Sequence, residues 1–181
     1  MANLSNFDGN LLISGVDKAS VVAVSNIIVD TMRGWTYGFY AYPEKISEND
    51  VYFSRDDFFK GEKEYQLEYQ AAFSGDGEGR WKFGNNVESL GRWLAKELKG
   101  SERLKVLEQN SFTVLFIGTD VESGCGVYES LTGTLFHEKG SPLTDSTINV
   151  DCQPLGKLTV DALMEHYGWG EQEAKEYLGL E

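Results

Sequence analysis

In the segment 75–86, GDGEGRWKFGNN, four glycines (Gly75, Gly77, Gly79, Gly84) fall within ten residues, with charged side chains at alternate positions between and beyond them. Glycine lets a backbone take positive φ and come close to a ligand. Asp76 and Glu78 are carboxylates two residues apart, and Arg80 and Lys82 continue the alternation. In an extended chain all four side chains project to one side. Two carboxylates and a cation beside a phosphate can hold Mg²⁺ or stabilise a pentavalent phosphorane, so Mg²⁺ is the cofactor this pattern suggests. No third carboxylate stands at a motif spacing, so no metal site is assigned. The same residues also describe a loop of solvated charges leading into a helix.

Trp81, Phe83 and Trp93 lie among cations. Bases stack on aromatic rings while Arg and Lys hold phosphate, which is how single strands are bound with little sequence preference. The alternative is that Trp81 and Phe83 cover a sheet and Trp93 borders a helix core. His137 is one of two histidines and the candidate general acid or base near neutral pH. The other, His166, stands near a predicted helix end, where the dipole explains it. Cys125 and Cys152 are too few for a disulfide framework or a structural zinc site. Phosphate-loop, dinucleotide, zincin and nucleophile-elbow motifs are absent, which argues against an ATPase, a dehydrogenase or a lipase.

These residues sit in an unusual charge pattern. Residues 80–105 carry seven cations against three carboxylates, about +4, in a chain of 181 residues with a net charge of −13. Residues 111–181 hold twelve acids and three bases, about −9. One surface would attract a polyanion and another would repel or imitate one. Hydrophobic residues at 41% and aromatics at 13% exclude general disorder. The opening MANLSNFDGN lacks the basic start and apolar run of a signal peptide, and no stretch reaches roughly 18 apolar residues. A protein of the reducing host cytoplasm is expected.

The elements that must position these groups follow from periodicity. Residues 10–16 predict a short strand, and Asp17 then caps a helix whose Val21, Val24, Ile28 and Met32 recur at helical spacing up to Gly34. Residues 35–42 are aromatic and β-prone. In 64–73, Tyr65, Leu67 and Tyr69 alternate with polar neighbours, predicting a strand with one wet face. Asn85 and Glu88 resemble a capping box for a second helix ending at Gly100. On it Val87, Leu90, Leu94 and Leu98 share one side, while Arg92, Lys96 and Lys99 share the other. Residues 112–117 and 127–136 predict a strand pair joined by a loop. Thr159 caps a helix through Tyr167, Gly168 ends it, and a second short helix covers 171–178. The order predicts an α+β fold: an antiparallel sheet with helices on one face, ferredoxin-like, over 1–157, and a C-terminal helix–turn–helix appendage over 158–181.

Two stretches carry a resemblance. NLLISGVDKASVVAV, with its strand, glycine and helix start, resembles the opening of small mobile-element proteins with a YubB-type ferredoxin-like domain. VESGCGVYESLTGTLFHEKG is similar to their glycine-containing hairpin. The likeness spans 10–140 and implies a fold and a phage or plasmid setting, without an activity. In size and acidity the chain also resembles inhibitors that such elements carry against host CRISPR–Cas9, some acting on the guide RNA or its loading.

The expectation is therefore a mobile-element inhibitor of a host nucleic-acid defence, with Cas9 and its guide RNA as partners. Arg80, Lys82, Arg92, Lys96 and Lys99 would grip phosphates and Trp81 would stack a base. Were RNA cut, Asp76, Glu78 and His137 would do it. The rival expectation is a noncatalytic acidic module that occupies a protein partner as a nucleic-acid mimic, or an immunity or accessory protein.

Overall fold

Alternation of apolar residues builds a sheet here, and helical stripes build the layer that covers it. The computed structural model describes residues 4–35, 38–54, 67–80, 82–122 and 127–180, with backbone alone at 80, 127 and 165–167. The elements run β1 (Leu4–Gly15), α1 (Lys18–Met32), β2 (Phe39–Tyr42), β3 (Tyr52–Phe53), β4 (Tyr69–Arg80), α2 (Phe83–Glu97), α3 (Glu102–Glu108), β5 (Phe112–Glu122), β6 (Val127–His137), β7 (Thr147–Pro154), α4 (Val160–Tyr167) and α5 (Glu171–Leu178). The strands form one antiparallel sheet in the order β2-β4-β1-β5-β6-β7, with β3 also on β4. This is the expected α+β architecture.

On β1 the residues Phe7, Leu11 and Ile13 point to one face and are buried under α1 and α2. Their register partners continue that face: Phe73 and Ala71 on β4, Phe116 and Val114 on β5, Gly133 and Leu135 on β6. The predicted stripe Val87, Leu90, Leu94, Leu98 is buried against it, as are Val21, Val24, Ile28 and Met32 of α1. Asp17 caps α1 by accepting from the Ser20 amide at 2.8 Å. Gly168, in left-handed geometry, ends α4, and Thr159 caps its start.

Two expectations change. The glycine-rich run of 75–80 is not a loop but the second half of a twelve-residue strand. Its glycines face the helices: a Cβ on Gly77 would lie 2.7 Å from the Phe39 ring and 2.8 Å from the Phe83 ring, and one on Gly79 would lie 2.8 Å from Phe83 Cα. They are needed for close packing. Likewise α2 starts at Phe83 with Lys82 as N-cap, three residues before the predicted Asn85 cap. Its first-turn donor is met from across the sheet, where Asp120 Oδ2 accepts from the Phe83 amide at 2.7 Å. A partner 37 residues away replaces a local capping box.

The C-terminal pair lies on the opposite face. Asn6, which alternates with Phe7, donates to the Tyr177 hydroxyl at 3.4 Å. Its register partner Val121 and the adjoining Tyr128 are buried on that same side, and Leu163 and Ala174 are buried within the pair. Among the described residues, no helix is long and apolar enough to cross a membrane.

Candidate functional site

Helical phase divides α2 into a buried side and a basic side. Arg92, Lys96 and Lys99 are all exposed, and among the described residues none makes an ion pair. Trp93 stands between the two sides, half-buried, with its ring 5.6 Å from that of Trp35. Three other cations of the basic island are engaged. Lys82 Nζ lies 2.8 Å from Glu129 Oε2, Arg103 Nη2 lies 2.7 Å from Asp30, and Lys105 Nζ lies 2.6 Å from Glu102. The Arg80 side chain and Trp81 fall outside the described residues, as does Cys125. Phe83 is core: it is fully buried and stacks on Phe7 with ring centres 4.6 Å apart.

Asp76 and Glu78 are exposed and share a side, as the extended reading requires. That side is the face turned away from α2, because their neighbours Gly75, Gly77 and Gly79 meet the helix layer. Lys82 does not join them; its ammonium binds Glu129 on the helix-side face. Asp76 has another neighbour. Asp8 is its direct cross-strand partner, so two carboxylates stand side by side. Burial and the Asp76 charge together raise the pKa of Asp8.

His137 lies elsewhere. It ends β6, wholly buried, its Nδ1 3.1 Å from the Ser146 hydroxyl and its ring 5.2 Å from Phe112. Burial pushes its imidazole below the usual value. The row His137–Phe112–Gly15–Tyr69 crosses the sheet seven residues from Asp76 along β4, which is roughly 23 Å at the ordinary strand rise. The structure thus brings Asp76 and Glu78 together and leaves His137 at the other end, on the other face.

One cluster was not singled out by the sequence reading. Asp120, Glu122 and Glu129 are buried carboxylates where β5 and β6 meet the start of α2. Burial pushes Asp120 up to about 6, against the opposing effect of the Phe83 amide. Cys152 is raised to about 11 by burial and then by Glu129. The Lys82 pKa is raised chiefly by its hydrogen bond to Glu129. Among the described residues no group of three His, Cys, Asp or Glu is placed to hold a metal. The signal was present: Gly118, Asp120 and Glu122 continue the inward phase of Val114 and Phe116.

The arrangement suits polyanion contact along α2 better than hydrolysis. Comparison with family models, with curated proteins and with solved structures finds no match to this chain.

Proposed function

We propose that this protein is a mobile-element inhibitor of a host nucleic-acid defence that acts by binding RNA without cutting it. CRISPR–Cas9 guide RNA, free or on Cas9, is the target to test. The observation that carries the binding step is the exposed row of Arg92 and Lys96 on α2 and Lys99 just beyond its end, unpaired among the described residues. Arg92 and Lys96, four residues apart, share one face of α2, and Lys99 follows just past its C-cap Leu98, so the three cations lie close enough in the chain to follow a phosphate backbone. The inhibitory role rests on the likeness in size and acidity to such inhibitors. Separation of Asp76 and Glu78 from His137 favours binding over cleavage.

Three phosphate contacts on a single strand give a salt slope near −2, so RNA affinity should fall about 20-fold between about 50 and 200 mM salt. The double change Arg92→Glu with Lys96→Glu should abolish that binding while leaving the fold intact, since both side chains are exposed. Inhibition of guide-RNA loading that survives this double change overturns the reading.

A second reading has its own observation. The C-terminal helices expose Asp161, Glu171, Glu173 and Glu176, a carboxylate surface that could fill a protein's phosphate track. Inhibition retained by the α2 variant but lost on changing these four to their amides would assign the activity there.

A further inference from the structure

The second half of α1, the start of α3 and the segment after Pro43 border an open cleft of about 420 Å³. Three cations line it, Arg33, Lys45 and Arg103, against two carboxylates, Asp30 and Glu44. Its walls are fixed. The Asn26 amide clamps the loop by donating to the Ile46 carbonyl at 3.0 Å and accepting from the Ile46 amide at 2.9 Å. That positions Glu44 and Lys45 against the helix, and Ile46 itself is buried.

Arg103 is held in place through one nitrogen. Its Nη2 meets the Ile27 carbonyl at 3.1 Å, Asp30 at 2.7 Å and the Thr31 hydroxyl at 3.0 Å. Its Nε and Nη1 donors have no partner among the described residues, and Lys45 has none either. Among the described residues Arg33 is joined only to Glu44, at 2.9 Å, and that carboxylate is 73% exposed. An exposed pair of this kind is weak and its carboxylate can swing away. The cleft therefore offers one fixed guanidinium, Arg103, and two adaptable cations, Lys45 and Arg33, around a volume within the range of small-ligand sites.

We infer that this cleft binds a phosphate monoester of mononucleotide size. The phosphate accepts from Arg103 Nη1, Lys45 and Arg33, as a dianion requires. Hydroxyl or amino groups on the remainder donate to Asp30 and Glu44, which a bare anion would leave facing it. The volume exceeds that of inorganic phosphate alone. The monoester is supplied either by a free nucleotide or by the phosphorylated end of an RNA. The site does not depend on the α2 row, because none of Arg92, Lys96 or Lys99 lines it.

Isothermal titration of the full chain with inorganic phosphate and with adenosine 5′-monophosphate tests the proposal. Saturable binding is expected for both, tighter for the nucleotide. Lys45→Gln and Arg103→Gln should each weaken it by roughly tenfold, the loss of one charged hydrogen bond. Lys157→Gln, exposed and away from the lining, should leave it unchanged. Urea midpoints report whether each variant folds, and Lys45, being exposed and unpaired, keeps the test available if Arg103→Gln does not. Competition by a short RNA with a 5′-phosphate, compared with its 5′-hydroxyl form, separates the two sources. No binding of either probe up to about 10 mM, or full binding by both pocket variants, overturns the assignment.

Discussion

At Asp120 a single carboxylate joins three strands' worth of structure to a helix. It is wholly buried, accepts from the Phe83 amide, and faces Ser5 of β1, Glu129 of β6 and Lys82 at the helix cap. A carboxyl that holds its proton more tightly when folded than when unfolded adds stability as pH falls between its two pKa values, here about 6 and 3.8. Asp8 works in the same direction, since burial and the facing Asp76 raise it too. Asp50 and Glu171 work the other way, held low by Ser47 and Lys175, but both are exposed and act only as pH falls through their ordinary values of 3.8 and 4.5. Lowering pH from 7 toward 4 should therefore add stability through Asp120, on the order of 3 kcal/mol, while His137, whose imidazole burial holds below its ordinary 6.5, removes stability as pH falls from that value. Asp120→Asn keeps an acceptor for the Phe83 amide and loses the titration. Its urea midpoint should lose the gain that Asp120 supplies and keep only the opposed slopes of Asp8 and His137, and a slope equal to that of the parent chain would show that another group is responsible.

At the scale of the element, the contact between β4 and α2 is made by absent side chains. Gly77→Ala places a methyl against both the Phe39 and Phe83 rings, which are themselves packed in the core. Overpacking of this kind costs roughly 1–3 kcal/mol, so the urea midpoint of Gly77→Ala should drop by a corresponding amount. Gly100→Ala, with open space around it, should instead lose only what its positive φ imposes. The same residues explain what the sequence conceals. Helix α1 was legible because Asp17, Val21, Val24 and Ile28 are local signals, and the α2 stripe was legible for the same reason. The strand through Gly75, Gly77 and Gly79 was not, because glycine reads as a turn unless the rings it accommodates are known. The α2 start was misplaced because its cap, Asp120, is remote in the chain. Strand β7 was missed since only Ile148, Val150 and Cys152 of its eight residues pack inward, and only partly. The Asp8–Asp76 pair needed a register that no local pattern contains.

Across the whole molecule, the net charge of −13 and the unpaired α2 cations predict opposite responses to one variable. Free protein carries self-repulsion among its carboxylates, with Asp8 and Asp76 side by side as the local extreme. Added salt screens that repulsion over a Debye length of about 10 Å at 0.1 M. Sodium chloride should thus stabilise the free chain at pH 8, and each kcal/mol of relieved repulsion should raise Tm by roughly 2–4 °C. The same salt releases RNA, because the α2 contact is attraction to phosphate. Reversing Arg92 and Lys96 sharpens the contrast: each reversal changes the charge by two, taking the chain from −13 to −17. That variant should gain more thermal stability from salt than the parent while binding no RNA at any salt concentration. Thermal melts and RNA titrations over one salt series check both halves. A parent chain whose Tm falls with salt would mean that favourable pairs such as Lys82–Glu129 and Arg103–Asp30 outweigh the repulsion, and that the acidic surface is better compensated than its net charge implies.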